Sequence, residues 1–434
     1  MQKRPGALCA LLVLLLPGLA PAATVRAITG VNVVDLDGGP PLRDAVVVVT
    51  GDRITAVGPQ SEVAIPVGAE TLPLPGKWLM PGLMNMHVHF GLVLPGKMQE
   101  DAANETDGGL ALRMLANARR SLLAGTTTVR TPGEDKDAVF ALKASIDRGE
   151  HLGPRIWPAG QAIAPTGGHS SEPLLNGFDG PDAVRKEARR QILLGAKWLK
   201  IMISRGIAST GEMRAADMTV DEMRAATDVA HRQGVKVSAH TASPQATLEA
   251  LEAGVDSFEH GYFLTEDVFR RMKAQDAWYV PTIVVSQAGA MEFFRKIGSP
   301  PSYLERVQQV GSSHWAALQA AIRVGVNIAM GSDQFPYEPN EGTVASVREI
   351  ELYREAGMTN LQALRTATVD AARMLAAEQD LGRVAPGRYA DLIALDDDPT
   401  QDVRRLRTIS WVMKGGDVVR NDADGSDLAR TLQR

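Results

Sequence analysis

The chain has 434 residues, 44% of them apolar, a formal net charge of −5 and a single cysteine. No block of Lys or Arg accompanies that mild acidity, so neither nucleic acid nor an anionic membrane is indicated as a partner. One cysteine cannot close an intramolecular disulfide, and the length suits one large barrel plus a smaller domain.

Lys3 and Arg4 precede the apolar run 7–16, and Ala20-Pro21-Ala22 supplies small residues of the cleavage type, so 1–22 reads as a secretory signal peptide. The run is too short to span a bilayer. Cys9 follows Leu8 rather than a small residue, which argues against a lipoprotein attachment site. The mature chain would carry no thiol, which excludes cysteine nucleophiles and suits a periplasmic or secreted location.

Next come β-branched runs broken by turns. Ala45-Val46-Val47-Val48-Val49 meets Thr50-Gly51-Asp52, and Ile54-Thr55-Ala56-Val57-Gly58 follows, as in hairpins. Near the other end, Asp391-Leu392-Ile393-Ala394-Leu395 and Ile409-Ser410-Trp411-Val412-Met413 before Lys414-Gly415-Gly416-Asp417 are alike. We therefore expect 23–80 and 384–424 to form one composite β-sandwich domain, with a polar tail at 425–434.

The middle, 81–383, alternates short apolar strands with helical stretches, the pattern of a parallel sheet with helical crossovers. Candidate strands fall at 86–90, 126–130, 155–160, 198–203, 236–240, 257–260, 278–284 and 327–333, which fits a (β/α)8 TIM barrel. Thr219-Val220-Asp221-Glu222 is a capping box whose helix ends at Gly234, and Ser243 with Pro244 opens a helix that Gly254 closes. The competing fold is a doubly wound open sheet. Its dinucleotide-binding form is not expected, because no Gly-x-Gly-x-x-Gly turn follows a first strand. The expected fold class is thus α/β, a TIM barrel with a small β-sandwich built from both termini.

His87-Val88-His89 sits in the first of these strands, where residues i and i+2 share a face, so two imidazoles can converge on one metal ion. Two unrelated strand histidines would look the same. In a barrel, chemistry belongs at the C-terminal strand ends. Those ends carry His87 and His89 on strand one, Lys200 on four, His240 on five, His260 on six and Asp333 on eight. All but Lys200 are ordinary metal ligands. Lys200 lies in the apolar run Trp198-Leu199-Lys200-Ile201-Met202-Ile203, where an ammonium is costly. It either snorkels from the strand end, pairs with a carboxylate, or is carboxylated by CO2 to an anionic carbamate able to bridge two ions.

Several further segments belong beside these: Pro81-Gly82-Leu83, Gly125-Thr126-Thr127-Thr128-Val129-Arg130, Gly153-Pro154-Arg155, Thr166-Gly167-Gly168-His169, Glu259-His260-Gly261, Gly331-Ser332-Asp333, and the return Leu381-Gly382-x-Val384-x-Pro386-Gly387-x-x-Ala390-Asp391-Leu392. Together they resemble the amidohydrolase superfamily over nearly the whole mature chain. The similarity is greatest to its imidazolonepropionase-like group, with binuclear metal-dependent Xaa-Pro and Xaa-Arg dipeptidases and ochratoxin-hydrolysing amidohydrolases. The resemblance implies that Lys200 is the carboxylated bridging lysine. One ion would be held by His87, His89, Lys200 and Asp333, the other by Lys200, His240 and His260. Two ions roughly 4 Å apart lower the pKa of a shared water and polarise the scissile carbonyl. Asp333 would take the water's proton and pass it to the leaving amine. Zinc is the default for such nitrogen and oxygen ligands, although affinity order does not exclude manganese or cobalt. Related enzymes form homo-oligomers, often octamers, and the same is expected here.

Other residues have secondary or open roles. The glycines before His169 allow a loop that brings its imidazole over the site, where the resemblance gives it the substrate carbonyl; a plain surface histidine is the alternative. His151, His231 and His314 are assigned to helix or surface structure. Glu259, alternating with Phe258 and His260, should face away from the metals and serve packing or a bond to a ligand. Arg130 and Arg155 either bind a substrate carboxylate or brace the barrel by ion pairs. Asn85 and Thr131 stand where the family commonly has Asp, and 241–245 lacks the Tyr and Arg with which prolidase-like members grip the substrate carboxylate. Substrate choice is therefore expected to fall to His169 and the segment 241–245.

The leading function is hydrolysis of the amide between an acyl group and an amino acid, covering dipeptides and N-acyl amino acids such as ochratoxin-type amides. A cyclic amide or deaminase-type hydrolase is the alternative, since the same metal site serves both. A non-catalytic binding protein on an inherited barrel is the third reading, opposed by a ligand set with no missing position.

Overall fold

The computed structural model describes residues 23–102, 104–169 and 177–424. The expected signal peptide at 1–22 and polar tail at 425–434 lie outside the described residues.

Strands β1 (Val25–Val33), β2 (Leu42–Thr50) and β3 (Arg53–Pro59) form an antiparallel meander, with the β2–β3 turn at Gly51 in the left-handed region. β4 (Glu70–Pro73) and β5 (Trp78–Pro81) then run parallel to β1. The barrel strands follow: β6 (Leu83–Asn85), β7 (Thr126–Thr131), β8 (Arg155–Pro158), β9 (Trp198–Met202), β10 (Lys236–Thr241), β11 (Ser257–His260), β12 (Trp278–Val280) and β13 (Asn327–Ile328). A short hairpin, β14 (Pro339–Asn340) and β15 (Thr343–Val344), precedes the last helices. β16 (Leu392–Leu395), β17 (Trp411–Lys414) and β18 (Asp417–Asn421) then return to the first sheet.

Both chain ends share one sheet, in the order β18-β17-β16-β5-β1-β2-β3 with β4 beside β1. Two facing sheets of a sandwich were expected. The difference lies in β5, which pairs with β1 on one side and β16 on the other and so joins both ends in a single ladder. The sheet buries Ile28, Val47, Leu79, Leu392 and Trp411 in one cluster. Burying side chains of this size stabilises by about 1.5–3 kcal/mol each. It docks under the barrel at the N-terminal ends of its strands: Arg155 reaches Asp391 at 2.6 Å and packs over the Tyr389 ring, and Arg420 donates to the Leu123 carbonyl at 3.0 Å.

The eight barrel strands are parallel and carry helices between them, the TIM-barrel arrangement, but no continuous ladder closes them. β6-β7-β8 and β9-β10-β11-β12-β13 are separate sheets. One seam is crossed by the bridge Ile163↔Ile201, the other by Met86 N–H to the Met330 carbonyl at 2.7 Å and Asp333 N–H to that of His87 at 2.8 Å. A cluster including Met84, Trp198, Trp278 and Val280 fills the space between the two sheets.

Several strands are shorter than their apolar runs. The first ends at Asn85 and leaves the two histidines beyond it. The seventh stops at Val280 because Pro281 has no N–H to give and Thr282 has φ 53. The eighth keeps two residues, and Asp333 at φ 52 has left the β region. The two punctuated helices are present. Thr219 and Glu222 cap Val220–Arg232 reciprocally, and Ser243 caps Pro244–Glu252 with Pro244 in its first turn.

Candidate metal centre

Past β6, the backbone turns so that His87 Nε2 lies 3.2 Å and His89 Nε2 3.1 Å from the same oxygen, Asp333 Oδ1. The strand alternation that suggested this pair is not what delivers it, since both residues stand in an irregular segment. Each ring is fixed from behind. His87 Nδ1 donates to Glu259 at 2.7 Å, and His89 Nδ1 to the Gly133 carbonyl at 2.5 Å, which turns both Nε2 atoms inward. Gly331 permits the close approach of Asp333: a Cβ there would stand 2.7 Å from that of His87.

His240 is the penultimate residue of β10 and His260 ends β11, with ring centroids 4.6 Å apart; His260 is 4.8 Å from His87. His260 has φ 65, and that left-handed turn brings its ring inward directly after Glu259. Glu259 therefore does not face away, as alternation suggested. It lies fully buried beneath His87, where it also accepts from Arg130 at 2.7 Å and Ser257 at 2.5 Å. His260 Nδ1 meets the Thr282 hydroxyl at 2.8 Å, leaving Nε2 for a ligand; His240 Nε2 faces the Arg205 carbonyl at 3.2 Å, leaving Nδ1. Burial holds both imidazoles well below their usual pKa, in the neutral form that ligation requires. Burial opposes ionisation of Asp333 too, but the surrounding imidazoles, His87 foremost, and the hydrogen bonds from His87 and His89 outweigh it and keep the carboxyl well below the carboxylate range.

Lys200 projects from β9 into the barrel, 1% exposed, and its Nζ has no hydrogen-bond partner among the described residues. That excludes a snorkelling side chain, and no described carboxylate stands at ion-pair distance. Burial draws its pKa down to about 8. An orphaned amine inside a ring of histidine and carboxylate donors fits a divalent-metal site completed by a carbamate.

His169 stacks on His240 with centroids 4.1 Å apart, its Nδ1 2.5 Å from the Ser209 hydroxyl. A Cβ on Gly206 would come within 2.6 Å of the His240 ring, so this pair depends on a glycine there. Arg130 and Arg155 brace, the first inside the barrel against Glu259 and the second against Asp391, and neither lines the cleft. Asn85 ties β6 to the start of the Asp333 loop, donating to Ser332 at 2.9 Å and accepting from Ser332 N–H at 3.2 Å. His151 bonds Ser145, His231 bonds Asp256, and buried His314 bridges Ser286 and the Pro281 carbonyl.

The cleft above the cluster holds about 850 Å³, counting the part open to solvent. No residue of 241–245 lines it, because Thr241 turns its hydroxyl to Thr247 and Ser243 is spent on its helix cap. Its walls are Leu92, Leu94, Ile207, Val285, Phe293, Phe294, Tyr303 and Phe335. Sequence reasoning missed these, since the aromatic ones come from helices and loops with no strand-end signal. It also missed two carboxylates. Glu134 accepts the backbone N–H groups of Phe90 and Gly91 at 2.5 and 2.8 Å, pinning the loop after His89. Glu349 accepts those of Ile283 and Val284 at 2.9 and 2.7 Å, holding the turn that presents Thr282 to His260.

The amidohydrolase family model matches residues 78–419. Ochratoxinase of Aspergillus niger is 29% identical over 433 residues, covering 89% of this chain and 85% of that protein. Imidazolonepropionase of Cutibacterium acnes is 24% identical, covering 82% of this chain and 84% of its own. A solved Xaa-Pro dipeptidase with methionine bound in its active site superposes with a TM-score of 0.83 at 27% identity, covering 92% of this chain and all of that one. These matches set aside the non-catalytic reading. With its barrel, its His-His-Asp cluster and a family model spanning both, the chain belongs to the amidohydrolase family and is a hydrolase of amide or peptide C–N bonds.

Proposed function

We propose that this is an exported, dinuclear metal-dependent amidohydrolase that cleaves the amide between an acyl group and an amino acid, dipeptides and N-acyl amino acids of the ochratoxin type included. The observation that carries the metal reading is the orphaned Lys200 amine among His87, His89, His240, His260 and Asp333. Carboxylated, Lys200 would join His87, His89 and Asp333 around one ion and His240 and His260 around the other. Bound divalent ions, zinc by the donor chemistry, supply a water acidified towards neutrality and a polarised carbonyl.

The protein's own groups do the rest. Asp333, held as a carboxylate, accepts the proton of the attacking water and returns it to the leaving amine. His169, stacked on His240 in the cleft, is the side chain that would meet the substrate carbonyl. The apolar wall keeps bulk water away while the bond is broken. Assembly as a homo-oligomer belongs to the same proposal. Thorough metal removal is expected to abolish hydrolysis of N-acyl amino acids, with divalent ions restoring it; an apo protein of undiminished activity would sink the reading. Cyclic amide hydrolysis is a second reading, favoured by the similarity to imidazolonepropionase. A panel of cyclic and linear amides separates the two.

A further inference from the structure

Resting on that hydrolase reading, we infer that the cleft holds the amino-acid side of the scissile amide by apolar and neutral contacts and gives its carboxyl group no cationic side chain. Substrates whose carboxyl is capped and uncharged are therefore cut about as well as free acids. Enzymes that demand a free carboxylate place an Arg or Lys where it can form charge-assisted hydrogen bonds. Among the described residues lining this cleft there is no Arg, and the one Lys is Lys200, buried within the histidine cluster. The nearby arginines are committed elsewhere. Arg130 is paired with Glu259, Arg205 with Asp217, and Arg306 donates to the carbonyls of Gly206, Ile207 and Gly211. The sequence of 170–176, next to His169, contains one acid and no Lys or Arg.

What the cleft does offer is aromatic and neutral. Phe294 meets Tyr303 edge to face at 5.1 Å, and Phe335, Leu92 and Val285 continue the wall. Its neutral amide is Gln334, 2% exposed, whose Nε2 has no hydrogen-bond partner among the described residues. A carboxylate brought against this wall would be desolvated with no cationic side chain to pair with. An apolar side chain and a neutral carboxamide meet no such penalty.

The test compares N-acetyl-L-phenylalanine, N-acetyl-L-phenylalaninamide and N-acetyl-L-aspartate on the full metal-loaded protein, with release of each amine followed by mass spectrometry. The expected result has two parts. The carboxamide should keep kcat/KM within about tenfold of the free acid or exceed it, and the aspartate should fall more than about tenfold below phenylalanine. A free acid preferred by more than about tenfold, or an aspartate derivative cut as well as phenylalanine, overturns the inference and leaves the hydrolase reading standing. If the metal-loaded protein cuts none of the linear amides, the acyl–amino acid reading falls and this inference with it.

Discussion

Asp333 and His87 are linked twice: the Asp333 N–H donates to the His87 carbonyl at 2.8 Å, and Asp333 Oδ1 stands 3.2 Å from His87 Nε2. The backbone link crosses the seam between the two barrel sheets, so the side-chain geometry is set by the same contact that holds the strands together. Gly331 is the residue that allows it. Gly331→Ala should force the loop from His87, lowering stability by about 1–3 kcal/mol and reducing metal content. Urea unfolding together with metal analysis of the purified variant checks both.

Replacing Lys200 with Ala removes the group proposed to bridge the ions. Metal occupancy should drop, and short carboxylic acids added to the buffer should restore part of it by occupying the space of the carbamate. Full occupancy without rescue would refute the carbamate assignment. Metal analysis after desalting is the measurement.

Asp333→Asn keeps the size of the side chain but cannot accept a proton. Turnover should fall by about 10²–10⁴, in the range of general acid–base catalysis, with metal still bound. Unchanged turnover would assign the base elsewhere.

Glu259 is buried and compensates Arg130 while holding His87. Glu259→Gln leaves the guanidinium without its countercharge inside the barrel. A loss of about 3–5 kcal/mol is expected in equilibrium denaturation, the usual result of breaking a buried pair.

Burial pushes the Glu349 carboxyl from 4.5 up to about 8. The folded protein then holds a proton that the unfolded chain releases, so this stabilisation is complete below about pH 4.5 and is lost as pH rises through about 8. Unfolding midpoints should decline over that window, and the decline should be smaller in Glu349→Gln.

How much of this was legible in the sequence follows from what each feature depends on. The strands and capped helices were readable because apolar period and cap chemistry are local, as at Thr219 and Ser243. The residues that meet at the cluster were readable because strand ends in a parallel barrel converge wherever the strands stop. What alternation misjudged was orientation. His260, Thr282 and Asp333 all have positive φ, and a left-handed residue reverses the inside-outside pattern in a way that a period of two cannot anticipate. The cleft wall was illegible for another reason: Phe294, Tyr303 and Phe335 are brought together by packing of helices and loops far along the chain. The single sheet at the termini depended on which edge of β5 would accept β16, a choice that the alternating pattern leaves open.

The Arg155–Asp391 contact has one more consequence. It fastens the terminal sheet to the barrel rim opposite the cluster, so support and chemistry occupy opposite poles of one scaffold. Natural variation or engineering can reshape the loops around Leu92, Phe293 and Phe335 to change the substrate while the footing beneath stays untouched, and a surface anchor for immobilising the enzyme is best engineered into that lower pole.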